Sequence, residues 1–291
     1  MKWLITGGSG QLGLAMQKEL SFRGIVFVSA NSSELDITKP LIVNQLIDSI
    51  KPSVIVNTAA WTGVDGAEIN QSAAYSVNGL GPQYLAIAAS KIGARLVQVS
   101  TDYIFSGENS TPWSENSAHN PQSVYGSTKS EGEKFVQTAL PTDSYVIRTA
   151  WLYSAEGKNF GKTMTSFAVN DTAEVKVVND QLGQPTFTGD LAKQIVDLVL
   201  SNAPVGIYHG TNSGQATWFE FAQKIFELAG ADVSRVTPVS SSEYPRPAKR
   251  PSYSVLGHEA WADTSVPVMR DWRIALEEAM PAIISAVKAE R

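Results

Sequence analysis

The chain has 291 residues, a formal net charge of −5, 43% hydrophobic residues and no cysteine. The acidic balance argues against a nucleic-acid surface, the lack of cysteine excludes disulfides and thiolate chemistry, and no apolar run is long enough to span a bilayer. Length predicts one large α/β domain and a smaller lobe, drawn at residues 1–150 and 151–291, with about 175–202 packing back on the first. No leader is expected, because the chain goes straight into a strand, and the expected compartment is the cytoplasm.

Trp3 to Thr6 is a short apolar run of the kind that makes a buried strand. Gly7, Gly10 and Gly13 follow at three-residue spacing, and an amphipathic stretch (Leu12, Met16, Leu20) starts inside the glycine set. Strand, glycine turn and helix in that order suit a dinucleotide. One glycine permits the turn, one lets a pyrophosphate approach the backbone, and one lets helix and strand pack closely. The helix N-terminus then offers N–H groups to the phosphates. A glycine turn without a ligand is the bland alternative.

Ile25 to Ser29 reads as the second strand, ending in Ala30-Asn31-Ser32-Ser33 with neither acid nor base. An acid there would select NAD and a base NADP, so the cofactor stays open with a lean to NADP(H). Thr38 before Lys39-Pro40 predicts a helix cap, and Asp36 is either turn chemistry or an adenine contact. Ser53 to Asn57 is a third strand. The small residues after it, Thr58, Ala59 and Ala60 before Trp61 and Thr62, suit a flat cofactor or simply a tight turn.

A helix is predicted over Gln71 to Ile92, with Asn78 poorly suited to it. Arg95 to Ser100 is the fourth strand. Apolar strands alternating with helices imply a Rossmann-type, doubly wound parallel sheet, whose ligands gather at the strands' carboxyl ends. Ser100-Thr101-Asp102-Tyr103 lies at such an end. After an aperiodic loop over 104–123, helix resumes with Tyr125 and Lys129 four residues apart, hence on one face. A neighbouring ammonium lowers a phenol's pKa, so the pair makes a rechargeable proton donor.

Beyond Arg148 the pattern predicts helix over Phe160–Val169, strand over Glu174–Val178 and helices over Asp190–Leu200, Thr217–Ala229 and Arg273–Lys288. The aromatic stripe Phe219, Phe221, Phe226 reads as core. Arg246, Lys249 and Arg250 form a local basic cluster, either for a nucleotide diphosphate or simply solvated. His119, His209 and His258 are too scattered for metal ligation and read as surface or packing residues.

Thr6-Gly-Gly-Ser-Gly-Gln-Leu-Gly13, Ser100-Thr101 and Tyr125-x-x-x-Lys129 resemble the extended short-chain dehydrogenase/reductases. Leu35–Thr38, Ala59–Asp65, Ser100–Phe105, Arg148–Tyr153, Asn159–Met164, Asn179–Thr186 and Arg250–Leu256 narrow the resemblance to the dTDP-4-dehydrorhamnose reductases, over almost the whole chain. The resemblance implies a cofactor site at Gly7, Gly10, Gln11, Leu12, Gly13, Asp36, Ile37, Ala59, Ala60, Trp61, Thr62, Tyr125 and Lys129. It implies Thr101, Tyr125 and Lys129 as catalytic. Thr101, Asp102, Tyr103, Trp151, Asn159 and Arg250 would meet the substrate, with Trp151 against the deoxysugar ring.

The implied reaction is NAD(P)H-dependent reduction of a C4 ketone on a dTDP-sugar. Tyr125 would give the proton, and Thr101 would stabilise the carbonyl oxygen. Trp61, Gly63, Gly66, Gly161 and Gly257 depart from the residues usual in that family. Some relatives bridge a dimer through magnesium on glutamates that have no match here, so no metal is carried over, and a homodimer stays open. The rivals are a nucleotide-sugar epimerase or dehydratase and a non-catalytic NADP-binding subunit. A dehydratase usually needs two acids after the threonine, and here Asp102 is followed by Tyr103.

Overall fold

The computed structural model describes residues 1–201 and 203–290. Its first half runs β1 (Lys2–Thr6), α1 (Gln11–Phe22), β2 (Val26–Ala30), α2 (Pro40–Ile50), β3 (Val54–Asn57), α3 (Val64–Ile69), α4 (Gln71–Tyr75), α5 (Gly81–Ile92), β4 (Arg95–Thr101), α6 (Val124–Ala139) and β5 (Ser144–Thr149). The second half runs β6 (Leu152–Tyr153), α7 (Phe160–Asn170), β7 (Val175–Val178), β8 (Leu182–Gly183), β9 (Thr186–Phe187), α8 (Thr188–Leu200), β10 (Gly206–His209), β11 (Ala216–Thr217), α9 (Trp218–Leu228), β12 (Val236–Val239) and α10 (Trp272–Ala289).

Six strands form one sheet in the order β10-β5-β4-β3-β1-β2, and every neighbouring pair is parallel. Alternation along β1 explains how both faces are buried. Trp3 and Ile5 point to a core with Leu12, Met16 and Leu20 of α1 and Leu191 and Ile195 of α8. Leu4 points the other way, to Val43 and Ile47 of α2 and Leu85 and Ala89 of α5. Each such side chain contributes about 1.5–3 kcal/mol when fully buried. The strand order reverses at β1, since β2 lies on one side and β3 on the other, and that switch point leaves a crevice at the carboxyl ends.

A buried polar ladder runs across the sheet. Thr6 Oγ1 donates to Asn57 Oδ1 at 2.5 Å, and Asn57 Nδ2 donates to Gln98 Oε1 at 2.7 Å. The three residues are register partners in turn on β1, β3 and β4. A slip of one residue would bury these groups unpaired, so the ladder pins the register.

The second lobe has its own core, in which Phe221, Ile225 and Phe226 of α9 meet Leu276, Met280 and Ile283 of α10. The chain does not divide at one point. Val175–Val178 pairs with Val236–Val239 inside this lobe, whereas α8 packs on α1 and β10 joins the large sheet beside β5. The returning segment thus runs from Thr188 to His209, later than the 175–202 read from sequence. The short strand Gly206–His209 carries little apolar signal of its own, and only pairing with β5 places it.

Two local expectations also shift. Lys39, not Thr38, is the cap of α2, with Pro40 first in the helix; the Thr38 hydroxyl donates instead to Asp36. The predicted helix over Gln71–Ile92 widens into a π turn at Ser76–Leu80, which contains Asn78.

Candidate active site

The glycine turn is built by steric exclusion. Gly7 has φ +67°, and a Cβ there would lie 2.6 Å from the Ala59 backbone nitrogen. A Cβ on Gly13 would lie 2.4 Å from the Gly7 carbonyl oxygen, so only glycine lets α1 approach β1 this closely. Gly10 is the N-cap of α1 and supplies no side-chain hydrogen bond to it. Among the described residues no side chain caps this helix start, and Gly10, Gln11 and Leu12 line a cleft, the arrangement an anion needs.

That cleft has a volume of about 790 Å³ and runs from the glycine turn to Tyr125. It is lined by Gly7, Gly10, Gln11, Leu12, Asp36, Ile37, Ala59, Ala60, Trp61, Thr62, Thr101, Asp102, Tyr103, Tyr125, Lys129, Trp151 and Asn159. Two residues named from sequence do not line this cleft. Gly13 lies behind the turn and acts through packing. Arg250 lines a neighbouring cleft.

Near the predicted adenine end, the Asp36 carboxylate accepts from Thr38 N at 2.9 Å and Thr38 Oγ1 at 2.7 Å, which hold it below the usual carboxylate range. Its turn role is thus real, and it also lines the cleft. In the middle, Asn78 explains its own presence in a helix. Trp61 N donates to Asn78 Oδ1 at 2.9 Å, and Asn78 Nδ2 donates to Trp61 O at 3.1 Å. The π turn brings this buried amide out to clamp the loop after β3. Trp61 Nε1 donates to the Gly63 carbonyl at 3.0 Å, which turns the indole back along its own loop.

Thr101 ends β4, directly opposite Thr149 on β5. Its hydroxyl donates to Asp102 Oδ1 at 2.9 Å, and Tyr125 lines the same cleft. Burial pushes the Asp102 carboxyl up to about 6, against the hydrogen bond from Thr101, which lowers it. Ser123 caps α6 through Gly126 N, and Gly126 lets the helix sit against the Tyr103 carbonyl, which a Cβ would approach to 2.1 Å. The first turn of α6 thereby holds Tyr125 in the cleft.

Burial raises the Tyr125 phenol to about 12, and the Thr101 hydroxyl partly offsets it. The expected lowering by the Lys129 ammonium is not found: burial is the largest influence and raises the phenol, with Asp102 adding to it. Lys129 Nζ donates to the Val99 carbonyl at 2.5 Å, and burial pushes the ammonium down to about 8 while Glu133 opposes. Glu133 is itself paired with Arg148 Nη2 at 2.9 Å, both fully buried. His119 Nε2 lies 2.8 Å and His209 Nε2 3.4 Å from the same guanidinium. Those two histidines pack around a buried charge.

Trp151 has a left-handed backbone, φ +47°, a conformation costing a bulky residue roughly 1–3 kcal/mol. Asn159 caps α7 through Lys162 N and donates to Gln11 Oε1 at 2.9 Å, tying the second lobe to the glycine turn. A second cleft of about 880 Å³ adjoins the first. Arg246 and Arg250 line it, and Arg250 Nη2 donates to Asp65 Oδ2 at 3.0 Å. Lys249 turns away to Glu108 at 2.8 Å, so the basic cluster divides between cleft and solvent.

Sequence reasoning missed Trp218, which stacks on Trp151 and lines both clefts. The signal lay at Thr217, a cap residue that sets the next side chain at the exposed start of a helix. The core stripe of the same helix, Phe221 and Phe226, is the stronger pattern and masks it.

The family model described as the RmlD substrate binding domain matches residues 1–284. A dTDP-4-dehydrorhamnose reductase of Streptomyces griseus is 44% identical over 97% of this chain and 94% of its own length. The structure of a dTDP-4-dehydrorhamnose reductase of Clostridium acetobutylicum superposes with TM-score 0.92 at 45% identity, covering 97% of this chain and 99% of that one. That of the Bacillus anthracis dTDP-4-dehydrorhamnose reductase in complex with NADP has TM-score 0.92 at 37% identity, covering 96% and 98%.

Proposed function

The chain belongs to the RmlD substrate binding domain family, that of the dTDP-4-dehydrorhamnose reductases, and from that membership we propose that it reduces the C4 ketone of dTDP-4-dehydro-β-L-rhamnose to dTDP-L-rhamnose. The observation that carries the chemistry is that Thr101, Tyr125 and Lys129 line one cleft, which begins at the uncapped glycine turn. The residues there fit a dinucleotide: the turn excludes side chains, and the first turn of α1 presents free N–H groups. When bound, the reduced nicotinamide dinucleotide supplies the hydride to the carbonyl carbon.

Tyr125 holds the proton the product needs. With its phenol at about 12, it stays protonated across the neutral range. As the C=O π bond breaks and charge collects on oxygen, the phenolic O–H gives its proton to that oxygen, completing the C4 hydroxyl. Thr101 positions the same oxygen by a hydrogen bond, which requires its hydroxyl to swing from Asp102. Lys129 keeps a buried positive charge one helical turn from Tyr125. By family resemblance, it also holds the ribose of the nicotinamide half.

The adjoining cleft, with Arg246 and Arg250, takes the nucleotide diphosphate. Cofactor choice favours NADP(H). The Bacillus anthracis relative is in complex with NADP, and Ser32 lines the cleft at the end of β2, where the Glu34 carboxylate is taken up by Asn31 N at 2.8 Å. No lysine or arginine stands in that segment, so NAD(H) is tolerated as well.

Purified protein given dTDP-4-dehydro-L-rhamnose and NADPH should oxidise the nicotinamide stoichiometrically with dTDP-rhamnose formed. A nucleotide-sugar product formed without net oxidation would replace this reading by an epimerase or dehydratase. No turnover on any dTDP-4-keto sugar would leave a cofactor-binding subunit.

A further inference from the structure

Two contacts hold the Trp151 indole, while Thr186 N donates to its carbonyl at 3.1 Å and fixes the backbone. Gly183 leaves space for its indole, since a Cβ there would lie 2.6 Å from Cε2 and Cζ2. The Trp218 indole stacks on it, with ring centroids 3.5 Å apart and planes inclined by 11°. Both contacts come from one antiparallel ribbon. Gly183 of β8 faces Ala216 of β11, and Trp218 follows β11 as the first residue of α9.

The position of Trp218 is itself over-determined. Thr217 and Glu220 form a reciprocal cap, in which Glu220 N donates to Thr217 Oγ1 at 3.1 Å and Thr217 N donates to Glu220 Oε2 at 2.7 Å. Phe160 then closes on Trp218 from α7, with centroids 4.6 Å apart. Among the described residues, Trp218 and Tyr103 alone line both clefts, so a ligand that fills both must pass them.

We propose that Trp218 is a positioning residue: by stacking on Trp151 at the junction of the two clefts, it sets where the ketone end of a nucleotide sugar comes to rest once the nucleotide end is bound. This rests on the reductase reading above. A stack that only filled space would serve both clefts alike. One that aligns the two halves matters to the reacting half alone, because Trp151 reaches the catalytic cleft and not the other. Removing Trp218 frees the Trp151 indole to turn out of place, and a displacement of about 1 Å at the ketone lowers turnover about 10²-fold.

The test uses Trp218→Ala and Trp218→Phe in the full chain. Kinetics with dTDP-4-dehydro-L-rhamnose and NADPH are read beside calorimetric binding of dTDP and of NADPH. Circular dichroism supplies a signature independent of activity, because two indoles stacked this closely couple their transitions. The expected result is loss of that coupled signal in both variants with dTDP and NADPH affinities unchanged. kcat should fall about 10²-fold in Trp218→Ala and less in Trp218→Phe. Unchanged kcat with the signal lost overturns the inference, as does a loss of dTDP or NADPH affinity equal to the loss of kcat. If Trp218→Ala does not fold, Trp218→Phe decides on the same readings. An inactive wild-type chain overturns the functional reading itself, whereas an active wild type with equally active variants overturns only the role of Trp218.

Discussion

The Lys129 ammonium donates to the carbonyl of Val99, two residues ahead of Thr101 on the same strand, and so ties the catalytic helix α6 to β4. Burial brings that ammonium from 10.5 down to about 8, close to working pH. As pH rises through about 8 the charge disappears, so kcat/KM should fall on a basic limb near that value. Stability should move the other way. Between about 8 and 10.5 the unfolded chain binds more protons at this site than the folded one, so this contribution rises with pH. A pH–rate profile set against a pH–Tm profile checks both signs, and Lys129→Met should abolish the limb.

In the proposed reaction, Tyr125 and Thr101 divide the work at the carbonyl oxygen. Tyr125→Phe keeps the ring packed edge-on against Tyr103 at 5.5 Å and removes only the proton, so kcat should fall about 10²–10⁴-fold with NADPH binding unchanged. Thr101→Val should raise the barrier by about 2–4 kcal/mol. Single-turnover kinetics would show whether the loss lies in the chemical step. A Tyr125→Phe enzyme within a few-fold of wild type would remove Tyr125 as the acid.

Asn78 is buried and meets both backbone polar groups of Trp61 as well as Thr128 Oγ1 at 3.3 Å. Asn78→Ala leaves these groups short of partners, at about 1–3 kcal/mol for each one buried. Denaturant unfolding should show lower stability. NADPH titration should show weaker binding, because the loop after β3 lines the cleft. Weaker unfolding with normal NADPH affinity would separate the clamp from the cofactor.

Glu115 is pushed up to about 7 by burial, with the neighbouring Glu259 adding to the shift. The folded state thus holds a proton that the unfolded state releases near 4.5. Stability from this site is highest at low pH and falls as pH rises from about 4.5 to about 7. Glu115→Gln mimics the protonated acid and retains an acceptor for Ala260 N, which donates to Oε1 at 3.1 Å. The variant should be more stable than wild type at pH 8, by on the order of 1 kcal/mol after allowance for solvent screening, and equal to it at pH 4.5. Thermal unfolding at the two values is the check.

Much of the parallel sheet was legible, because its strands carry uninterrupted apolar runs and their helices an apolar stripe. Val54–Asn57 and Arg95–Thr101 needed no further information. Gly206–His209 did. It is a short strand whose membership depends on pairing with Tyr145–Arg148, some sixty residues earlier. In the site, Tyr125 and Lys129 were legible from helical spacing together with their place after the fourth strand and its Ser100-Thr101 pair. Trp218 and Asn78 were not, since one looks like core and the other like a poor helix residue until their partners are in place.

The order of residues along the chain determined the glycine turn, the strand–helix alternation and the four-residue spacing of phenol and ammonium, because each is a local property of backbone conformation and side-chain period. Only the tertiary structure decided that burial raises the Tyr125 phenol, that Arg250 lines a neighbouring cleft, and that the Trp151 indole packs between Gly183 and Trp218. Those outcomes depend on desolvation and on contacts between segments far apart in sequence, which no window along the chain can contain.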